Sequence, residues 1–181
     1  MKKVTMILAA AALLTFSCSK ENEKVMFANQ ETQIENFIKS QLSSNPEARV
    51  VSSNGSNRLV ITEGTGEELN EHGTVSFYYT AYVMSGSSIS TQNIVATNMA
   101  DMASAAKWEL SDPEAFSIMT INLDDTELID GLKKGIVGVK GGEECIILFS
   151  GEHGFGNKQS GTIPANSALA YHLRIESISN D

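Results

Sequence analysis

Leu128-Ile129-Asp130-Gly131-Leu132, continuing through Gly135 to Gly141-Gly142 and then Glu143-Glu144-Cys145-Ile146-Ile147-Leu148-Phe149-Ser150, is the stretch on which the fold turns. Asp130 is suited to cap a short helix over residues 131–139, because its side chain can accept from backbone N–H groups left free in the first turn. Gly141-Gly142 closes that helix. The apolar run after it reads as a strand over residues 143–150. The stretch is therefore one short helix laid next to one strand.

Strands dominate the sequence on either side of this unit. Residues 74–83 alternate, with Val75, Phe77, Tyr79, Ala81 and Val83 on one face and Thr74, Ser76, Tyr78, Thr80 and Tyr82 on the other. Such alternation marks a half-buried antiparallel strand. Residues 168–178 repeat the pattern, with Leu169, Tyr171, Leu173 and Ile175 pointing one way. Leu59-Val60-Ile61 is a further short strand, and residues 116–123 read as another. Upstream, Ile34, Phe37, Ile38 and Leu42 share one face of a helix over residues 29–44. Asn29 is placed to cap it, and Ser43-Ser44-Asn45-Pro46 stops it. Mostly strand with few helices is an α+β arrangement. Residues 92–114 fit it least: they are rich in Ala, Met and Asn, carry Trp108, and break at Asp112-Pro113. Met99, Met102 and Ala106 could share a helical face there.

The N-terminus points to export. Lys2 and Lys3 precede an apolar run, Met6 to Phe16, that is shorter than the roughly 20 residues a bilayer span needs. This is the layout of a secretory signal peptide over residues 1–17. Ser17-Cys18 ends it in a form that resembles the looser lipoboxes of Bacteroidetes-type lipoproteins, in which the cysteine, here Cys18, is acylated. Residues 18–28 begin with Ser19-Lys20-Glu21-Asn22-Glu23-Lys24, which has no apolar side chain and reads as a solvated tether. Beyond the tether lie a helix within residues 29–46 and one domain over residues 47–181. The expected location is the cell envelope, lipid-anchored to the outer membrane and facing either the periplasm or the surface.

Composition excludes several functions. Lys and Arg total 13 against 22 Asp and Glu, a net charge of −9. That surface repels nucleic acid, whose binding needs Lys and Arg at phosphates. Of two cysteines, Cys18 is assigned to lipid and Cys145 sits in an apolar run, so no disulfide framework is expected. His72, His153 and His172 lack ligand spacing, and Asn122, Asp124 and Thr126 lack the glycine and closing glutamate of a calcium loop. No metal and no cofactor are expected.

Leu128-Ile129-Asp130-Gly131-Leu132 resembles the V-I-x-G-W motif of FKBP-type peptidyl-prolyl cis-trans isomerases. Phe155-Gly156 is similar to the family's A-Y-G motif, Thr162-Ile163-Pro164-Ala165-Asn166-Ser167-Ala168-Leu169 to I-I-P-P-N-A-T-L, and Val75-Ser76-Phe77-Tyr78-Tyr79-Thr80-Ala81 to V-x-V-x-Y-T-G. The resemblance covers residues 50–178. It implies a twisted antiparallel sheet wrapped around one short helix, preceded here by the N-terminal helix and carrying an insert at residues 92–114. Two readings of the insert stay open: a flap over the pocket, or a surface embellishment.

The resemblance also implies a site for proline-containing polypeptides. Tyr79, Ile129, Leu132, Phe155 and Tyr171 would be its catalytic positions, and Ile89, Ser90, Met119, Leu128 and Ile163 would contact substrate. The Ile129 N–H would hold a substrate carbonyl. Four positions depart from the family. Leu132 stands for a floor Trp, Ile89 for a Phe, Ser90 for an Asp that accepts from Tyr79, and Phe155 for a Tyr. Weak isomerisation and a non-catalytic binding or chaperone role both fit those departures.

Overall fold

The structure, a computed structural model, describes residues 2–110, 112–124 and 128–181, with side chains from residue 20 on apart from that of residue 113. Among the described residues, three helices, α1 (Lys2–Ser44), α2 (Ala100–Ala105) and α3 (Asp130–Ile136), combine with seven strands. The strands are β1 (Arg49–Ser53), β2 (Ser56–Thr62), β3 (Thr74–Val83), β4 (Ile94–Thr97), β5 (Met119–Asn122), β6 (Glu144–Phe149) and β7 (Leu169–Ser179). All pairings are antiparallel, in the order β1-β2-β6-β7-β3-β4, with β5 also on β3.

The unbroken apolar run of β6 has a physical cause: helices cover the sheet on both sides. Cys145, Ile147 and Phe149 face α3, where Leu132 and Ile136 join Val75, Phe77, Ala81, Leu169, Leu173 and Ile175 in the main core. Ile146 and Leu148 face the other way, toward Ile34, Phe37 and Ile38 of α1, with Leu59, Tyr82 and Ala170 completing a second core. A strand buried on both faces loses its alternation. Cys145 is buried and unpaired, and desolvation pushes its thiol well above the ordinary range.

Four details differ from the sequence reading. Helix α1 does not begin at Asn29, which lies inside it; the Glu, Lys, Met and Ala residues before Asn29 are good helix formers, and residues 20–28 are helical. Asp130 does not cap α3 through its side chain. The helix starts on Asp130 itself, whose carboxylate accepts from Lys134 Nζ at 2.7 Å and pairs with His153 Nδ1 at 3.0 Å. Helix α3 ends at Ile136, before Gly141-Gly142, as Gly138 turns the chain out at φ +83°. Residues 116–118 are not strand, because Asp112 accepts from the Glu114 N–H and starts a 3-10 turn over Pro113–Phe116.

The Cys18 side chain lies outside the described residues, as do Thr126 and Ser111. Among the described residues, no helix is long and apolar enough to cross a membrane.

Candidate active site

Helix α3 lies close against β6 because two of its residues have no side chain. A Cβ on Gly131 would enter the Phe149 ring, and one on Gly135 would enter the Ile147 methyl and the Ser56 hydroxyl. This close approach brings Leu132 to the floor of a cleft above β3 and β7.

The cleft is open, with a volume of about 210 Å³. Phe77, Tyr79, Ala96, Met119, Leu128, Ile129, Leu132 and Tyr171 line it. Four aromatic rings run through its base in sequence. Phe77 meets Tyr79 edge-on at 6.1 Å, Tyr79 lies near-parallel to Tyr171 at 6.3 Å, and Tyr171 stacks on Phe149 at 5.9 Å and 16°. Burial raises the pKa of both phenols, strongly for Tyr171, so each stays neutral at physiological pH.

Six of the ten residues expected at the site line this cleft: Tyr79, Met119, Leu128, Ile129, Leu132 and Tyr171. Phe155 and Ile163 pack against the same core without lining the cleft. Ile89 and Ser90 belong elsewhere. Ile89 packs on the α1 side of the sheet, and the exposed Ser90 hydroxyl donates to Asn93 Oδ1 at 2.7 Å. The connection from β3 is longer than the motif suggests, and the strand that returns along β3 is β4, which puts Ala96 opposite Ala81 and into the cleft. At this wall, among the described residues, the cleft has a methyl group and no carboxylate. Sequence reasoning missed Ala96 because residues 84–93 carry no alternation to fix the register. Phe77 lies on the face of β3 that its alternation indicates, but nothing in that pattern assigns it to the site.

Asn98 was missed as well. Strand β3 pairs with β5 at Thr74–Phe77 and with β4 at Thr80–Tyr82, leaving a gap beside the cleft. The buried Asn98 amide fills it. Its Oδ1 accepts from the Tyr79 N–H at 2.6 Å, and its Nδ2 donates to the carbonyls of Phe77 (3.3 Å) and Ser117 (3.0 Å). One side chain thus replaces a stretch of backbone ladder and holds both ends of the segment between β4 and β5.

The far end of α3 is held by a buried cation. Arg58 is 4% exposed and donates from its guanidinium to the carbonyls of Val137 (3.0 Å) and Gly138 (3.1 Å), while its Nε lies 3.4 Å from the buried Glu143 carboxylate. Burial raises the Glu143 carboxyl above the usual range, and Arg58 opposes that shift. On the opposite side of the sheet, Gln30 of α1 donates to the Asn166 carbonyl at 2.6 Å and accepts from the Gly151 N–H at 2.8 Å, tying the 151–166 loop to the helix.

The model of the FKBP-type peptidyl-prolyl cis-trans isomerase family matches residues 66–176. FK506-binding protein 1 of Aspergillus oryzae is 24% identical over 122 residues, covering 67% of this chain and 96% of that protein. Among solved structures, a peptidyl-prolyl cis-trans isomerase of Pseudomonas syringae superposes with a TM-score of 0.56 at 15% identity, over 84% of this chain and 95% of that one. FkpA from Escherichia coli gives 0.56 at 17% identity, over 97% of this chain and 71% of its own. Wheat FKBP73, with three FKBP domains, gives 0.57 at 20% identity over 74% of this chain, which spans about half of that structure's length. With the family's motifs spread along β3, α3 and β7, and an open apolar cleft where those elements meet, this chain belongs to the FKBP-type peptidyl-prolyl cis-trans isomerases.

Proposed function

We propose that this chain catalyses cis/trans rotation about the bond preceding proline in exported polypeptides. The observation that carries this reading is the open cleft, walled by apolar and aromatic side chains and large enough for a prolyl ring. Rotation about an amide has a barrier of about 18–20 kcal/mol, because the planar form is resonance-stabilised. The twisted form loses that resonance and part of its dipole, so it loses less than the planar form on leaving water. A dry cleft therefore favours it. No nucleophile is needed. Tyr79, Leu132 and Tyr171 shelter the ring, and the Ile129 N–H holds a substrate carbonyl.

Ile129 has φ −60° and ψ 132°, a backbone geometry that proline itself adopts. Ile129→Pro therefore removes the donor with little change in the chain's path. It is expected to lower kcat/KM on prolyl peptides about tenfold, the equivalent of one hydrogen bond of about 1.4 kcal/mol, while Ile129→Val keeps the rate within about twofold. Equal rates in the two variants, at matched thermal stability, would sink this role.

A second reading, a binding or chaperone module with little turnover, has its own support. Among the described residues, six large apolar side chains are well exposed, and four of them, Trp108, Leu110, Ile118 and Met119, lie on the segment bordering the cleft. Suppression of aggregation with no isomerisation above background would favour it.

The export signals support an envelope location with Cys18 as lipid anchor. Palmitate labelling of cells is expected to mark the intact protein and to be lost in Cys18→Ser; label retained in that variant would remove the anchor.

A further inference from the structure

We propose that the groove beneath Trp108 is a second subsite, taking an apolar side chain of the substrate about four residues from the prolyl bond. The inference rests on the isomerase cleft being the place where proline binds.

The groove has a volume of about 630 Å³, with Val83, Ile94, Val95, Trp108 and Pro164 as its apolar lining and the uncharged Gln92, Asn93 and Thr162 beside them. Among the described residues, no ionisable side chain lines it, although the chain carries 22 acidic residues. Its chemistry selects an uncharged, apolar occupant. Trp108 is 40% exposed, and its main chain is anchored: its backbone N–H donates to the Ala103 carbonyl at 2.9 Å, and the buried Ala103 and Met99 hold α2 in the interior. An indole lining the groove with Val83, Val95 and Pro164 suits an aromatic or large aliphatic partner.

The occupant follows from continuity with the cleft. Tyr79 lines the cleft and Val83 lines the groove, four residues apart on the same face of β3, or about 13 Å at 3.3 Å per residue. Ala96 and Val95 are consecutive on β4 and line one each. An extended polypeptide advances by the same distance per residue, so one substrate chain fills both places. The groove, lined by eight residues, is far smaller than the surface a stable dimer buries.

Trp108 is the only tryptophan in the chain, so its fluorescence reports occupancy directly. Three tryptophan-free peptides with one central leucyl-proline serve as probes: one with phenylalanine four positions before the proline, one with phenylalanine four positions after it, and one with serine at both. One phenylalanine peptide is expected to shift the emission to the blue, bind three- to tenfold more tightly than the serine peptide, and be isomerised with a kcat/KM higher by a similar factor. That preference should disappear in Trp108→Ala. Isomerisation of all three peptides at equal rates, with no emission change, overturns the subsite and leaves the enzyme standing. A phenylalanine-dependent emission shift without isomerisation keeps the subsite and overturns catalysis.

Discussion

Replacing Arg58 with methionine is expected to remove about 3–5 kcal/mol of folding stability, the usual cost of stripping one partner from a buried ion pair. Arg58 and Glu143 are both buried, and the Arg58 guanidinium is also the hydrogen-bond donor to the carbonyls of Val137 and Gly138. Methionine fills much of the space but leaves the carboxylate without a counter-charge and those carbonyls without that donor. The loss should depend on pH in a defined direction. Glu143 has a raised pKa in the folded chain, so its ionised form is penalised by folding, and the penalty grows as pH rises through its folded value. Without Arg58 that value rises further. The deficit is therefore largest in neutral and alkaline buffer and shrinks as pH falls and Glu143 takes up a proton. Urea midpoints across pH measure it. Combining Arg58→Met with Glu143→Leu should recover part of the loss, since the orphaned charge is gone. A single variant within about 1 kcal/mol of the parent at neutral pH would show that the pair carries little of the fold.

Gly131→Ala is expected to be the other severe change. A methyl at this position enters the Phe149 ring, and overpacking of a closed core costs about 1–3 kcal/mol. The consequence for activity should exceed the consequence for stability. Phe149 stacks on Tyr171, and Tyr171 walls the cleft, so a displaced Phe149 transmits its shift to the site. Gly135→Ala strikes Ile147 and Ser56, neither of which lines the cleft, and gives the comparison. At matched loss of melting temperature, Gly131→Ala should reduce turnover of a prolyl peptide about tenfold more than Gly135→Ala, a difference of about 1.4 kcal/mol in transition-state stabilisation. Parallel losses in the two variants would mean that the aromatic row does not shape the cleft.

Much of the architecture could be read in the sequence because local pattern and tertiary role coincide there. The alternation in residues 74–83 and 168–178 marks the two long central strands, and their inward faces are those facing α3. The stretch from Leu128 to Leu132 locates the cleft floor for the same reason: its glycine is demanded by packing, and packing leaves a signature in residue type. Where a role depends on a distant partner, the sequence is silent. A turn and a short motif precede Ile89 and Ser90 and point them toward the cleft, yet the register of β4 is decided by pairing with β3. Asn98 and Gln30 are ordinary polar residues until the folded chain brings them to backbone groups 19 or more positions away. Nothing in the local pattern marks Arg58 and Glu143 as a pair, and only the topology puts them inside together.

Asn98 has a consequence for how this scaffold can change. By closing the ladder with an amide, it makes the rim of the sheet a splice point: chain leaves after β4 and re-enters before β5 while the neighbouring backbone keeps its path. Chain between those two points can lengthen or shorten while the pairing of β3 with β4 and β5 stays in place. The scaffold can exchange its outer contact surface there without rebuilding the sheet.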